Sequence, residues 1–391
     1  MLLVIQSIIV YGLMIWVMTY FGYIAYRSQY PQGFGKRNMH ENKKVPIGTI
    51  FTKSYFIIPI FIFCLFAAIR SKVGVDCESY KNIFYEISKI GISLTAPNIE
   101  EGFKSIVFFT NLFTESHYLC FFILAFLQIV FLYLALQKER HVLFFLGISI
   151  ILTCHYWSLM NGIRQNIAAC AFVAMIPWLL NKKWIYFILG TMLAMTMHRS
   201  ALLLIPIGAI GFLSKNKILN KYVQFVILIV SFFMMNKLDN IFSSRVIEFA
   251  SDAGYGDEQI DIYTNLDDTE YTFGLRMFIR YAVYCCIIFY SDKMYKLFNS
   301  KTYNIMYNLF FIGICMTLIF YNNFTIKRAI YYITCFSPLI LSYFMFYLWS
   351  NKKNHLLFII IAILTIQVVW SVYSDITNKG LLETMLYKFD F

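Results

Sequence analysis

A few ionisable groups stand inside an otherwise apolar chain. Arg70 and Asp76 occur in Arg70-Ser71-Lys72-Val73-Gly74-Val75-Asp76, and Arg164 in Asn161-Gly162-Ile163-Arg164-Gln165. His198-Arg199 falls between Lys183 and Lys215, and a late set adds Arg276, Arg280, Lys327 and Arg328. Charge buried in hydrocarbon is costly and usually lines a polar cavity. Several cations facing one membrane-embedded space suit an anionic, lipid-linked substrate. Arginine is the favoured diphosphate ligand, because its planar fork donates paired hydrogen bonds. His198 is the first choice for a general base, since its unperturbed pKa lies near neutrality, and Asp76 is the second.

Each group also has a purely structural role open to it. Arg70, Lys72 and Lys327 are placed to snorkel to headgroups. Arg276 and Arg280, one turn apart, are placed to pair with Glu270 or other loop acids. Arg164 and His198, with apolar neighbours and short spans, are harder to assign to structure. His155 reads as a core histidine, and His40, His141 and His355 as solvated groups on the cytoplasmic side. The histidines lack metal spacing such as His-Glu-x-x-His, so no metal is expected. Of nine cysteines, Cys77 alone falls in an expected external loop, and Cys285 and Cys286 read as packing residues. With no P-loop, dinucleotide fingerprint or Gly-x-Ser-x-Gly elbow, no ATP, NAD or other cofactor is expected.

The elements carrying these groups follow from composition. Of 391 residues, 60% are hydrophobic and only 14% charged, with mean hydropathy +0.64. That is too little charge to cover a soluble surface, so the solvent is lipid. The apolar run from Met1 to Tyr23 lacks a basic leader and reads as a retained span. Twelve segments suit transmembrane helices: 2–24, 55–69, 117–136, 142–160, 163–180, 184–197, 200–213, 222–236, 273–290, 303–321, 329–349 and 356–373. The expected fold is all-α, a polytopic integral membrane protein forming a single membrane domain over 1–391.

The net charge of +12 is mostly a topology signal. Arg27, Lys36, Arg37, Lys43, Lys44, Lys53, Lys138, Arg140, Lys182, Lys183, Lys215, Lys217, Lys221, Lys293, Lys296, Lys301, Lys352 and Lys353 fall in alternate connections, joined there only by the acids Glu41, Glu139 and Asp292. Positive connections stay in the cytoplasm. Both termini and the long connections 70–116 and 237–272 are then external, and nucleic acid is not an expected partner. The stretch between Lys183 and Lys215 tests this. As one helix of about 47 Å it would invert everything after it; as a hairpin, each arm is only about 23 Å. The hairpin keeps the charge rule and sinks the His198-Arg199-Ser200 tip below the outer surface. Externally, 78–90 places Tyr80, Ile83, Phe84, Ile87 and Ile90 on one face and Glu78, Lys81, Asn82 and Lys89 elsewhere, which is an amphipathic helix. Segment 99–113, with Ile99, Phe103, Ile106, Val107 and Phe113, is a second candidate. Connection 237–272 is acidic and carries Gly254-Tyr255-Gly256; it reads as a solvated loop or a mobile lid.

From Arg70-x-x-x-Gly74-x-Asp76-x-x-x-Tyr80 onward the sequence resembles the EpsG/Wzy-type polysaccharide polymerases. The likeness continues through Glu100-Glu101-Gly102-Phe103, where the family often has Glu-Pro-Gly-Phe. It is strongest at Arg164-Gln165-Asn166-Ile167-Ala168 and His198-Arg199-Ser200-Ala201, with an echo at Arg328-Ala329-Ile330-Tyr331-Tyr332. It covers residues 60–210. Glu101 in place of proline, and Cys77 where an aromatic is common, are departures in the first external loop.

The resemblance implies a GT-C-like glycosyltransferase bundle in a bacterial inner membrane, with its site facing the exterior. Such an enzyme moves a growing glycan from undecaprenyl diphosphate to the sugar of a new lipid-linked repeat unit, the energy residing in the lipid diphosphate. Its partners are the undecaprenyl-diphosphate-linked oligosaccharide, membrane lipid and a chain-length regulator protein. For such a reaction the candidate diphosphate- and glycan-binding residues are Arg164, Arg199, Arg280, Arg328, Arg276, Arg70, Tyr80, Gln165 and Glu101, with Arg164, Arg199 or Arg328, and Arg280 expected on the leaving diphosphate and His198 and Asp76 as the catalytic candidates. The competing readings are an O-antigen ligase, which shares the donor but not the acceptor, a lipid-linked oligosaccharide flippase or transporter, and a membrane acyltransferase.

Overall fold

A computed structural model describes residues 2–34, 48–91, 99–238, 274–377 and 385–390. The twelve apolar segments fall on helices, with 142–160, 200–213 and 329–349 each divided between two helical pieces. Six helices are long and apolar enough to cross a membrane: Leu2–Gln29, Tyr118–Leu136, Ile163–Leu180, Lys301–Ile319, Ile326–Ser350 and Asn354–Thr377. Five shorter apolar helices accompany them, Ser54–Ala68, Arg140–Leu152, Trp184–Met197, Arg199–Leu213 and Lys221–Phe233. The chain is an all-α, multi-pass membrane protein, and its described residues fall into two compact units. Residues 239–272 of the acidic connection and the basic residues between Lys36 and Lys44 lie outside the described residues.

The first unit comprises residues 1–175 and 341–391. It holds α1 (Leu2–Gln29), the turn α2 (Thr49–Thr52), α3 (Ser54–Ala68), β1 (Arg70–Ser71), α4 (Cys77–Ile90), α5 (Glu101–Asn111), α6 (Tyr118–Leu136), α7 (Arg140–Leu152), α8 (His155–Met160) and the start of α9 (Ile163–Leu180). Helix α1 lies tightly on α7: a Cβ at Gly22 would fall 2.2 Å from the Leu143 carbonyl oxygen. Such small residues let helices approach where lipid provides no hydrophobic drive. One end of this unit gathers basic residues. Arg140 lies over the Tyr55 and Phe56 rings, donates to Ser28 Oγ at 2.8 Å and to Tyr55 OH at 3.0 Å, and Gln29 donates to the Lys138 carbonyl. His141, expected to be solvated, is instead buried there, its ring 4.7 Å from Phe34 and 4.9 Å from Phe346. Sequence position beside charged residues hid it: His141 is the second residue of α7, and the rings of Phe34, Tyr343 and Phe346 cover it.

At the other end, α4 and α5 pack on the bundle through Tyr80, Phe84 and Ile87 and through Phe103 and Val107. The C-terminal residues return to this end, where β2 (Lys388–Phe389) pairs antiparallel with β1, Arg70 opposite Phe389 and Ser71 opposite Lys388.

The second unit comprises residues 176–340. After α9 come α10 (Trp184–Met197), a 3-10 turn (Arg199–Leu203), α11 (Leu204–Leu213), α12 (Lys221–Phe233), α13 (Leu275–Phe298), α14 (Lys301–Ile319), α15 (Phe324–Thr334) and the start of α16 (Ser337–Ser350), whose remainder, followed by α17 (Asn354–Thr377), belongs to the first unit. The stretch 184–213 is a hairpin. Trp184, at the start of α10, packs edge-on against Phe212 near the end of α11, with ring centroids 4.8 Å apart. A Cβ at Gly208 would lie 2.5 Å from the Phe187 ring. The lysines around the hairpin's open end sit together: Asn304 donates to the Lys215 carbonyl, and Asn308 to those of Ser214 and Lys217. Gln224, buried between α12, α13 and α14, accepts from Tyr307 and donates to Ser291.

Candidate functional site

In the first unit, the motif from Arg70 to Tyr80 meets the motif around Arg164. Helix α7 stops at Cys154, whose φ of +59° is left-handed, and the short α8 leads through Asn161 and Gly162 into α9. A helix break leaves backbone groups that must find new partners. Here buried side chains supply them. Gln128 donates to the carbonyls of Leu159 and Ile163, and Asn166 to those of Ser158 and Gly162. The 70–76 segment docks on this break. Asn161 Oδ1 accepts from the Asp76 backbone N–H at 3.0 Å. Gly74, at φ +87°, comes so close that a Cβ would lie 2.8 Å from the Met160 oxygen.

From the first turn of α9, Arg164 forms an ion pair with Glu100, whose side chain is 4% exposed against 24% for Arg164. The Arg164 guanidinium also lies 5.9 Å from the Phe103 ring centroid, and Phe103 is 5.5 Å from the ring of Tyr80. Burial pushes the Tyr80 hydroxyl above its ordinary range, while the charge of Arg164 pulls it back and that of Asp76 pushes it further up. Gln165, next to Arg164 on α9, is buried. The structure thus brings together Asp76, Tyr80 and Arg164. The carboxylate facing Arg164 is Glu100. Its neighbour Glu101 is exposed and pairs with Lys104 at 3.2 Å. Arg70 is turned inward: it is 1% exposed, bonds the carbonyls of Ala67 and Val73 and lies 4.6 Å from the Phe121 ring centroid. It braces the turn that begins the loop.

In the second unit, the hairpin tip forms one end. The His198 backbone is extended (φ −159°, ψ 118°) and breaks the helix, its carbonyl accepting from Ala201 N at 2.9 Å. Its side chain is buried. Ser200 Oγ is 2.9 Å from the hydroxyl of fully buried Tyr332, which sits one turn after Arg328 on α15. Asn323 Oδ1 caps α15 by accepting from Ile326 N at 2.7 Å. Lys327 Nζ lies 5.0 Å from the Tyr321 ring centroid. Burial raises the Tyr321 hydroxyl's pKa, and the positive charges of Arg276 and Arg280 draw it back down. Asn236 closes this end by donating from its backbone to the Ile319 carbonyl and accepting from Asn322 N. His198, Arg199, Arg276, Arg280, Lys327 and Arg328 therefore share one end of the unit, opposite the lysines of the hairpin's open end. The expected partner of Arg276 and Arg280, Glu270, lies outside the described residues.

Sequence reasoning missed Glu100, although the residue stands in the quoted Glu100-Glu101-Gly102-Phe103 stretch; the face of α5 decides which of two adjacent carboxylates turns inward. It also missed Gln128, Asn161 and Asn166, polar residues in apolar runs, where that polarity was the available signal. Among the described residues, no three or more His, Cys, Asp or Glu side chains cluster as metal ligands would.

The EpsG family model matches residues 53–389 of the chain. No curated protein and no solved structure matches it.

Proposed function

The chain belongs to the EpsG family, and on that premise we propose that it polymerises a polysaccharide by moving a glycan from undecaprenyl diphosphate to a lipid-linked repeat unit. The family match supports a polymerase-type function. The observation that carries the finer reading is the gathering of Arg199, Arg276, Arg280, Lys327 and Arg328 at one end of the second unit, in a chain where only 14% of residues are charged. An anionic lipid diphosphate is the substrate that such an end would take. By the positive-inside rule the lysine-rich opposite end is cytoplasmic, so the cationic end faces the exterior. We assign the chain twelve spans in a GT-C-like bundle of the bacterial inner membrane, with a chain-length regulator as a partner.

In the proposed reaction the acceptor hydroxyl oxygen bonds the anomeric carbon. The bond from that carbon to the diphosphate oxygen breaks, and its electron pair leaves with the diphosphate. The transition state is oxocarbenium-like. Arg199, Arg280 and Arg328 stabilise the charge growing on the leaving group. His198 takes the acceptor proton, with Asp76 as the second choice. Arg164 is ion-paired with Glu100. The pair offers a donor and an acceptor beside the Tyr80 and Phe103 rings, a surface suited to sugar hydroxyls and ring faces, so we assign it to the glycan.

The test is complementation of cells that make the lipid-linked repeat but lack this protein. Arg199→Ala and Arg328→Ala, at normal protein levels, should leave single capped repeats in place of long chains. His198→Gln should do the same, and near-normal chain growth would rule out the base role. Unpolymerised repeats should accumulate outside the membrane; accumulation inside would identify a flippase. Turnover that is lost in EDTA and rescued by Mg²⁺ would refute a metal-independent reaction.

A further inference from the structure

The segment Met385–Asp390 does not trail away from the fold. The Met385 carbonyl accepts from Tyr11 OH at 2.9 Å and Trp157 Nε1 at 3.0 Å, and its N–H donates to Asp375 Oδ2 at 2.8 Å. Tyr387 is fully buried, donating from its backbone to Ser7 Oγ and from its hydroxyl to the Phe66 carbonyl, both at 2.7 Å. Lys388 and Phe389 pair with β1, and Asp390 N donates to the Ile69 carbonyl at 3.1 Å. The Asp390 carboxylate then spans two groups: Oδ1 lies 2.7 Å from Lys81 Nζ, and Oδ2 lies 2.9 Å from His117 Nε2. Tyr85 OH meets the other face of His117 at Nδ1, 3.0 Å away, and Tyr118 OH donates to the Asp390 carbonyl at 2.7 Å.

These contacts bracket one stretch of chain. The β pairing holds its beginning, Arg70–Ser71, and the carboxylate holds Lys81 at its end. Asp76 and Tyr80, which the structure brings to Arg164, lie between. Its middle, residues 72–76, is loop, with Lys72 at φ +57° and Gly74 at φ +87°. A β pair of two residues is weak by itself, so the charged contact at the far end matters. Lys81 has a second acidic neighbour in Glu78 at 3.4 Å, but that side chain is 57% exposed against 18% for Asp390, and exposed pairs hold little.

We propose that Met385–Asp390 is a clamp that positions the 70–81 segment, with Asp390 as its latch and a positioning residue for Asp76 and Tyr80. Its consequence for chain growth rests on the polymerase reading, so the test reads the clamp separately. Hydrogen exchange is measured on the full chain in lipid nanodiscs, for the unaltered protein, Asp390→Ala, Asp390→Asn and a chain lacking 385–391. Amides of 70–81 should exchange about ten to a hundred times faster in Asp390→Ala, the range for losing charge-assisted hydrogen bonds. The effect should be smaller in Asp390→Asn. Amides at the basic end, around Lys138 and Arg140, should be unchanged. A synthetic peptide of residues 385–391 should restore protection to the shortened chain. Unchanged exchange of 70–81 in the folded Asp390 variants overturns the clamp, as does faster exchange spread over the whole unit. In complemented cells Asp390→Ala should shorten the polymer at normal protein levels. Normal ladders despite faster exchange would overturn the positioning role while leaving the polymerase reading intact.

Discussion

Replacing Arg164 separates its structural from its chemical role. Arg164→Ala leaves the Glu100 carboxylate, whose side chain is 4% exposed, without its counter-ion. Breaking a buried pair in this way costs about 3–5 kcal/mol. Arg164 itself is 24% exposed, so water reaches the site and the lower figure applies. About 3 kcal/mol shifts the folding equilibrium roughly a hundredfold, a large part of a typical stability of about 5–15 kcal/mol. Arg164→Ala should therefore lower both protein amount and polymer. The double change Arg164→Met with Glu100→Leu removes both charges and fills similar volume, which generally recovers the lost stability. It should restore melting behaviour in detergent and protein level on immunoblots. Polymer should not return, because the charge-assisted bonds to the glycan, about 1.5–3 kcal/mol each, are gone; turnover falls at least about tenfold. The readout is the ladder of chain lengths on a gel beside the immunoblot. A normal ladder from the double variant would refute the glycan-binding role and leave the pair as a packing feature.

Further perturbations follow from the same geometry. Gly74→Ala puts a Cβ 2.8 Å from the Met160 oxygen at a φ of +87° and should cost about 1–3 kcal/mol, seen as a lower melting temperature and a lost ladder; Gly12→Ala, with nothing within 4 Å, should be tolerated. Tyr332→Phe removes the partner of Ser200 Oγ and should lower stability by about 1 kcal/mol, read by thermal melting, with a shortened ladder if the hairpin tip is displaced. Burial holds the His117 imidazole below its ordinary pKa, reinforced by Lys81 and opposed by Asp390. The folded chain then binds fewer protons than the unfolded one, so stability falls as pH drops below about 6.5; His117→Gln should flatten that slope in melting curves between pH 7 and 5, and an unchanged slope would remove His117 as its source.

Much of the helical layout was legible because lipid imposes one rule on every span, an apolar run of sufficient length. The hairpin at 184–213 was legible for a further reason. Reading it as one span would have broken the charge alternation on both sides, and the Trp184–Phe212 and Phe187–Gly208 contacts show the folded-back form. The conjunction of Gly74 and Asp76 with Asn161 and Arg164 was legible only as two motifs; nothing local says they touch across 85 residues. The C-terminal clamp was invisible, since Tyr387, Phe389 and Asp390 form neither a long apolar run nor a motif, and each takes its meaning from partners on α1, α3, α4 and α6.

The candidate residues share one circumstance: they stand where helices stop. Arg70 begins β1 just past the end of α3, Asp76 opens α4, Arg164 follows the α8 break, His198 ends α10 and Arg328 lies near the start of α15. A continuous helix satisfies its own backbone and presents only side chains, whereas a break exposes carbonyls and N–H groups that must find partners. Gln128, Asn161, Asn166, Asn236 and Asn323 supply those partners here. Such amides are neutral, so they can hold a break together without competing for an anionic substrate. The pattern separates scaffold from chemistry within each break. Exchanging Asn166 for Leu should loosen the backbone at Ser158 and Gly162 and disturb Arg164 indirectly, whereas Arg164→Met with Glu100→Leu should leave that backbone protected and remove only the chemistry. Hydrogen exchange at 158–163 distinguishes the two, and equal exchange in both variants would show that the amides are not what holds the break.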